Sequence, residues 1–514
     1  MENLNQQDRE RKRSDQAEAI LSYLGDLSLY RNSVQEVTDV LFFMCRKGSE
    51  RLLVMASSNA DNRFKDFEGE QVSAGKYTCI VCKLTHKNAE AIRSRFDFTR
   101  PKLIGKQNSY GFGDRLGNAG PAHLKALSKT DFKPILAQQS IRELERTNRT
   151  AQEVLDAASW AVFQEGYRDG FGADGDHLKT TDDIDLMVSS GYTMFTIDPS
   201  EYVVNEAKSM SDVELQNHFE NLPWNELKDH SGDFLNRMLE TKIKLKNGVE
   251  LSPAREEIII GMVKYGRVIT HTKKLADYLQ KTYPDHPAEL ELSVDETDEP
   301  TTLFEHFLIA SELHRLGVEL VSLAPRFCGD FEKGIDFKGD LDQFRDEYIQ
   351  HLTIAEKFGG YKLSIHSGSD KFSVYEVIGS IDAGSVHVKT AGTSYLEALR
   401  TIAEVNPPLF RKILDYSGNR FGADKKTYHI SADLEKVPRT DSLKDSELQE
   451  LLNDDHARQV LHVTYGSVLS GSDEEAASFK KRLMKTLSEY EETYEKNLIR
   501  HFDKHLNPFN QTNK

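Results

Sequence analysis

Side chains that hold metals and move protons recur in this chain at the ends of short apolar runs. Asp114 and Arg115 close SYGFGDR, Gln138 and Gln139 fall in PILAQQS, and Asp176 and His177 close GFGADGDH. Asp198 follows MFTI, and Asp295 and Glu296 end the run LELSVDET. Arg326 ends VELVSLAPR, His366 follows YKLSI, and His387 and Lys389 lie in SVHVKT. Imidazoles with carboxylates nearby suit a borderline divalent ion such as Zn, Mn, Ni or Co. Such an ion polarises a carbonyl or hydroxyl and stabilises developing enediolate charge.

Strand periodicity directs these groups. In YKLSIHS, Leu363 and Ile365 would face outward, turning Lys362, Ser364 and His366 inward. In SVHVKT the same alternation turns His387 and Lys389 inward. His177, His366 and His387 are therefore the expected metal ligands. Asp176 and Glu296 are the expected acid/base pair, since carboxylates in different environments can take a proton on one side of a substrate and return one on the other. A solvated acidic loop is the rival for Asp295 and Glu296, because SVDETDEP carries further acids.

An anion seat is expected where Ser367, Gly368 and Ser369 lead into a short helix, with Lys371 adding a cation. A plain Ser369 helix cap is the alternative. Arg326 and Lys389 are further candidates for a substrate carboxylate or phosphate. So is Arg115, although a salt bridge to Asp114 would account for it equally.

The runs that carry these residues alternate with helical stretches such as TAQEVLDAASWAVFQEGY and LDQFRDEYIQHLTIAEKFG. Eight alternations predict βα units closing into a (β/α)8 TIM-type barrel over 106–430, with chemistry at the C-terminal strand ends. An open doubly wound sheet is the alternative. Residues 1–105 read as an α/β segment for packing or oligomerisation, with a helix marked by Ala19, Leu21, Leu24 and Leu27. The connection 200–288 is a helical insertion, either a lid or a surface excursion. The extension 431–514 ends in one long amphipathic helix, opened by a Ser472–Glu475 capping box and carrying Phe479, Leu483, Leu487, Tyr490, Tyr494, Leu498 and Phe502.

Composition narrows the function classes. A formal charge of −17 opposes nucleic-acid or anionic-membrane binding but leaves a small anionic substrate open. No apolar run approaches the ~20 residues that span a bilayer, and the charged N-terminus lacks a secretion signal. Four cysteines in 514 residues fit a reducing compartment, so the expected location is the cytoplasm. Homo-oligomerisation is compatible with the amphipathic flanks. Cys79 and Cys82 form a CxxC inside a strand pattern without a second ligand pair, and His306 and His314 read as a solvated helix face.

Taken together, GFGDRLGNAGPAHLKAL, ADGDHLKT, SLAPRFCGDFEKGIDF, LSIHSGSDKFSVY and VHVKTAGTSYLEALR resemble the bacterial tagaturonate epimerase family over about 108–405. The resemblance implies interconversion of D-tagaturonate and D-fructuronate at carbon 4 with a divalent metal, and a side activity on fructose and tagatose. By resemblance Asp176 looks like the proton acceptor, Glu296 like the donor, and His177 and His366 like metal ligands; His387 rests on strand alternation alone. The competing expectations are a metal-dependent sugar isomerase or aldolase on the same barrel, and a non-catalytic sugar-acid binding protein.

Overall fold

The computed structural model describes residues 2–58, 64–241, 243–245, 248, 250–381 and 383–513. The chain opens with the helix Glu2–Leu24. An antiparallel sheet follows, in the order Ser28–Leu29, Val40–Lys47, Glu50–Ser57, Tyr77–Lys83 and Glu70–Ala74, with Gln35–Val37 also paired to Val40–Lys47. Leu41, Phe43 and Cys45 pack on Ala17, Ile20 and Leu21 of the helix. Phe42 and Met44 point the other way, into the main core. Covering both faces explains why VLFFMC is an unbroken apolar run. The buried helix face is Ala17, Ile20 and Leu21; Ala19 is exposed and Leu27 lies beyond the helix end.

The eight expected runs form eight parallel strands: β1 Ser109–Phe112, β2 Lys133–Ser140, β3 Gly172–Leu178, β4 Met194–Ile197, β5 Glu289–Val294, β6 Ser322–Pro325, β7 Lys362–Ile365 and β8 Val386–Thr390. They neighbour one another in sequence order and close into a barrel, with His387 on β8 in register with Ser109 on β1. That closing register rules out the open sheet. Thr150, Thr180 and Thr302 cap the helices that start after them through reciprocal Thr–acid boxes, so these helix entries are fixed locally.

The insertion after β4 holds the helices Asp212–Glu220, Ser231–Glu240 and Arg255–Thr282. It buttresses the loop after β5: Asn205 Oδ1 accepts from the Asp298 amide at 3.2 Å, and Lys208 pairs with Glu299 at 3.1 Å. The expected single C-terminal helix is two, Glu474–Glu489 and Glu491–Leu506, broken at Tyr490. Its cap is Asp473 rather than Ser472, with the carboxylate accepting from the Ala476 amide at 2.9 Å. The apolar spacing survives the break, because Phe479, Leu483, Leu487, Tyr494, Leu498 and Phe502 are all buried.

His306 corrects another expectation. It is fully buried, 2.8 Å from His351 Nδ1 and 2.6 Å from the Tyr361 hydroxyl, while His314 is exposed. All four cysteines are buried and unpaired. Among the described residues, no helix is long and apolar enough to cross a membrane.

Candidate active site

Three alternate strands bring their C-terminal ends together. His177 on β3, Asp295 just past β5 and His366 just past β7 each offer one ligand atom, all within 4.8 Å of one another. Alternate barrel strands contribute side chains to the same layer, which is why these three meet. Two of the ends turn sharply: His177 has φ 56° and Ser367 φ 52°, a left-handed backbone that costs non-glycine residues ~1 kcal/mol or more.

Carboxylates orient both rings. His177 Nδ1 lies 2.8 Å from Asp176 Oδ1, and His366 Nε2 lies 2.7 Å from Glu291 Oε1. His177 Nε2 is then the ring nitrogen left for another partner. On His366 it is Nδ1, which sits 3.4 Å from Asp295 Oδ1. A carboxylate behind each imidazole fixes its tautomer and raises its basicity as a ligand.

Beneath them Lys389 reaches Asp174 Oδ2 at 2.7 Å, Asp176 Oδ1 at 2.8 Å, Glu291 Oε1 at 2.8 Å and the Thr196 hydroxyl at 2.6 Å. Three buried carboxylates thus share a single lysine cation, and the half-buried Asp295 lies beside His366. Burial raises Asp174 to about 6. Burial also opposes ionisation of Asp176, but His177 and Lys389 hold it well below the usual carboxylate range. Burial pulls the imidazoles down, yet Asp176 lifts His177 to about 10 and Asp295 lifts His366 to about 9. His366 in turn holds Asp295 low against its burial. The pocket therefore demands positive charge beyond Lys389. Two imidazoles and a carboxylate, backed by further acids, are a donor set that fits a borderline divalent cation.

Above this group opens a cavity of about 600 Å³. Asp176, Glu296, His177, His366, Arg115, Arg326, Ser367, Ser369 and Lys389 all line it. Glu296 stands exposed at the rim, while Asp176 is buried at the base.

Several other expected residues have different partners in the structure. His387 does not join the ligand group: its Nδ1 lies 2.9 Å from Ser109 Oγ, and burial lowers its pKa to about 3. The alternation holds, but His387 sits two residues before Lys389, about 6–7 Å deeper along the strand. Asp295 takes the third position.

Lys371 is no anion ligand either. It is fully buried, with its ammonium on the carbonyls of Glu332 (2.7 Å), Ser369 (3.1 Å) and Ile335. The helix Phe372–Gly379 already has an acid at its N-terminus, since Asp336 accepts from the Ser373 amide at 3.2 Å. Ser369 is not the cap; its hydroxyl accepts from the Ala391 amide at 3.3 Å. Lys389 neutralises the acid cluster instead of waiting for a substrate anion. Arg326 donates to the Thr297 carbonyl. Arg115 pairs with Glu143 at 2.9 Å, not with Asp114, whose carboxylate accepts from the Leu116, Gly117 and Ala119 amides.

Several residues of the site and its cavity lie outside the predicted set. Asp174 and Glu291 carried a legible signal, since they precede Asp176 and Ser293 on the same inward faces. Lys333, Tyr428, His429, His462 and Tyr465 also line the cavity, and only folding brings them there. Among the described residues none of 200–288 lines the cavity, whereas His462 and Tyr465 of the C-terminal extension do.

A second carboxylate–imidazole group, Asp370, His501 and His505, is fully buried. Asp370 is held by Arg458 and His501, and its amide donates to His505 Nε2 at 3.0 Å. These bonds clamp the loop after β7 to the last helix.

Fold and site together define a (β/α)8-barrel enzyme with its ionisable groups at the strand ends. The family model described as tagaturonate epimerase matches residues 30–509. The chain is 42% identical over 478 residues to the tagaturonate/fructuronate epimerase of Thermotoga maritima, covering 93% of this chain and 96% of that protein. A glycerol-complexed crystal structure of fructuronate-tagaturonate epimerase from Cohnella laeviribosi superposes with a TM-score of 0.88 at 37% identity, covering 96% of this chain and 99% of that one. The native crystal structure of the same enzyme also gives 0.88, at 37% identity, covering 97% and 99%. The chain belongs to the tagaturonate epimerase family, and it is a carbohydrate epimerase, an isomerase acting on hexuronates.

Proposed function

We propose that the protein interconverts D-tagaturonate and D-fructuronate at carbon 4 of the open-chain ketose, with a divalent cation held by His177, Asp295 and His366. The observation that carries this reading is Asp176, an ionised carboxylate at the cavity base, bonded directly to one ring of the three-residue group. When bound, the cation supplies Lewis acidity that stabilises negative charge on nearby substrate oxygens.

The hydrogen on carbon 4 is not adjacent to the ketone, so enolisation alone cannot invert that centre. Asp176 takes the proton of the carbon-4 hydroxyl, whose oxygen electrons form an aldehyde as the bond between carbons 3 and 4 breaks. The electrons of that bond pass to carbon 3 and the ketone as an enediolate. The aldehyde rotates to present its other face, and carbon 3 attacks it, re-forming the bond. Glu296, at the rim, returns a proton to the new alkoxide, and exchange with solvent resets both carboxyls.

Activity on neutral ketohexoses is part of the same proposal, since only the terminal acid differs. A cytoplasmic location is supported by four buried, unpaired thiols. Incubating the full chain with Mn²⁺ or Zn²⁺ and D-fructuronate in heavy water tests the reading. D-tagaturonate should form without deuterium at carbon 4; deuterium there would overturn the cleavage route in favour of direct proton transfer. No epimer with any divalent ion would overturn the functional reading.

A further inference from the structure

The cavity has two unlike ends. The ligand group lies over β3, β5 and β7, rich in carboxylates. Arg115 follows β1, the strand across the eight-membered ring from β5. The residue is only 2% exposed, and its guanidinium carbon lies 3.5 Å from the Tyr465 ring centroid. Nε and Nη2 both donate to Glu143 Oε1, at 3.0 and 2.9 Å. Nη1 has no hydrogen-bond partner, although it is buried in the wall of the same cavity.

A buried, unpaired N–H on a cation is rare, because an unmade hydrogen bond there carries the full desolvation cost. Here the lost partner is one that a ligand can supply. Lys333 adds the missing charge. It lines the same cavity and donates to the neutral Ser367 hydroxyl at 2.6 Å; no ion pair engages it among the described residues. Arg115 and Lys333 both lie close enough to the buried His462 ring to oppose its protonation. Since Glu143 balances Arg115, Lys333 leaves this part of the cavity with surplus positive charge. The other end has its acids gathered around Lys389 and the imidazoles.

We propose that Arg115 Nη1 and Lys333 receive the carboxylate of the hexuronate, and so set the preference for uronates over neutral ketohexoses. This assignment rests on the functional reading above. A carboxylate satisfies the orphaned N–H and offsets the Lys333 charge together; a primary alcohol can do only the first. Tyr465 holds the guanidinium plane, and because that residue comes from the C-terminal extension, the extension takes part in choosing the substrate.

The test uses the full chain with Mn²⁺, as wild type, Lys333→Met, Arg115→Gln and Arg115→Lys. KM and kcat are measured for D-fructuronate, together with the inhibition constant of D-fructose, a neutral analogue. Losing one charged hydrogen bond should raise KM for D-fructuronate roughly 10- to 100-fold, with the loss in KM rather than kcat, while inhibition by D-fructose stays within about threefold. Arg115→Lys should fall between wild type and Arg115→Gln, because it keeps the charge without the planar fork. Lys333→Met changes a half-buried side chain, so it keeps the test readable if the buried Arg115 variants fail to fold.

Unchanged KM in Lys333→Met and in every Arg115 variant that folds would overturn the assignment. So would equal weakening of D-fructuronate and D-fructose. Failure of the functional reading looks different, since wild type itself would not epimerise D-fructuronate. Calorimetric binding of D-fructuronate, lost in Lys333→Met or retained, would then still decide the subsite.

Discussion

Glu291→Gln is the substitution that isolates the support behind the ligand group. The change is isosteric and leaves His177, Asp295 and His366 in place. Glu291 Oε1 holds His366 Nε2 at 2.7 Å and Lys389 at 2.8 Å. The amide keeps one acceptor oxygen but loses its charge, so it orients the ring less firmly and no longer raises its basicity. Lys389 retains Asp174 at 2.7 Å and Asp176 at 2.8 Å, which should hold the fold. Removing a carboxylate behind a ligating imidazole weakens metal binding about 10- to 100-fold, or about 1.4–2.7 kcal/mol. Chelator-competition titrations of wild type and variant with Zn²⁺ or Mn²⁺ at one pH measure that difference, with circular dichroism confirming the fold. Affinity within twofold of wild type would refute the reasoning, as it would mean the contact orients nothing that a cation uses.

Other outcomes follow from the same geometry. His387→Gln should leave metal affinity within threefold, because the ring lies a layer below the ligands against Ser109; a loss as large as that of His366→Ala would restore it as a ligand. Glu296→Gln should abolish epimerisation with metal affinity kept, and full turnover would remove Glu296 from the donor role. Arg458→Met should lower stability by about 3–5 kcal/mol in urea unfolding, since it leaves the buried Asp370 carboxylate with one charged partner fewer. Burial opposes ionisation of Glu332, but hydrogen bonds from Gln459 and Ser431 bring it down to about 2 from 4.5. A depressed carboxyl favours the fold above its unfolded pKa and loses that contribution as pH falls from about 4.5 towards 2. Stability measured across that window should therefore fall less steeply in Glu332→Gln than in wild type, and parallel curves would contradict the assignment.

The sequence by itself determined the barrel and most of the polar ring at its mouth. Both are written in local periodicity: alternating strands of a parallel sheet must turn every second residue inward, and capped helices must follow them. That period placed His366, His387 and Lys389 on inward faces, and it was equally legible for Asp174 and Glu291. It could not set depth. His387 and Lys389 share a face of β8, and only the register of the closed barrel puts one against Ser109 and the other among the acids. Partners distant in sequence were likewise beyond local reading. The Glu332 and Ile335 carbonyls that enclose Lys371 and the Glu143 carboxylate that pairs with Arg115 are all far from these cations in sequence. On the cavity wall, His462 and Tyr465 come from a C-terminal extension with no chemical motif of its own. Its role depends on long-range packing of the C-terminal helices, and contacts of that kind leave no period in the chain.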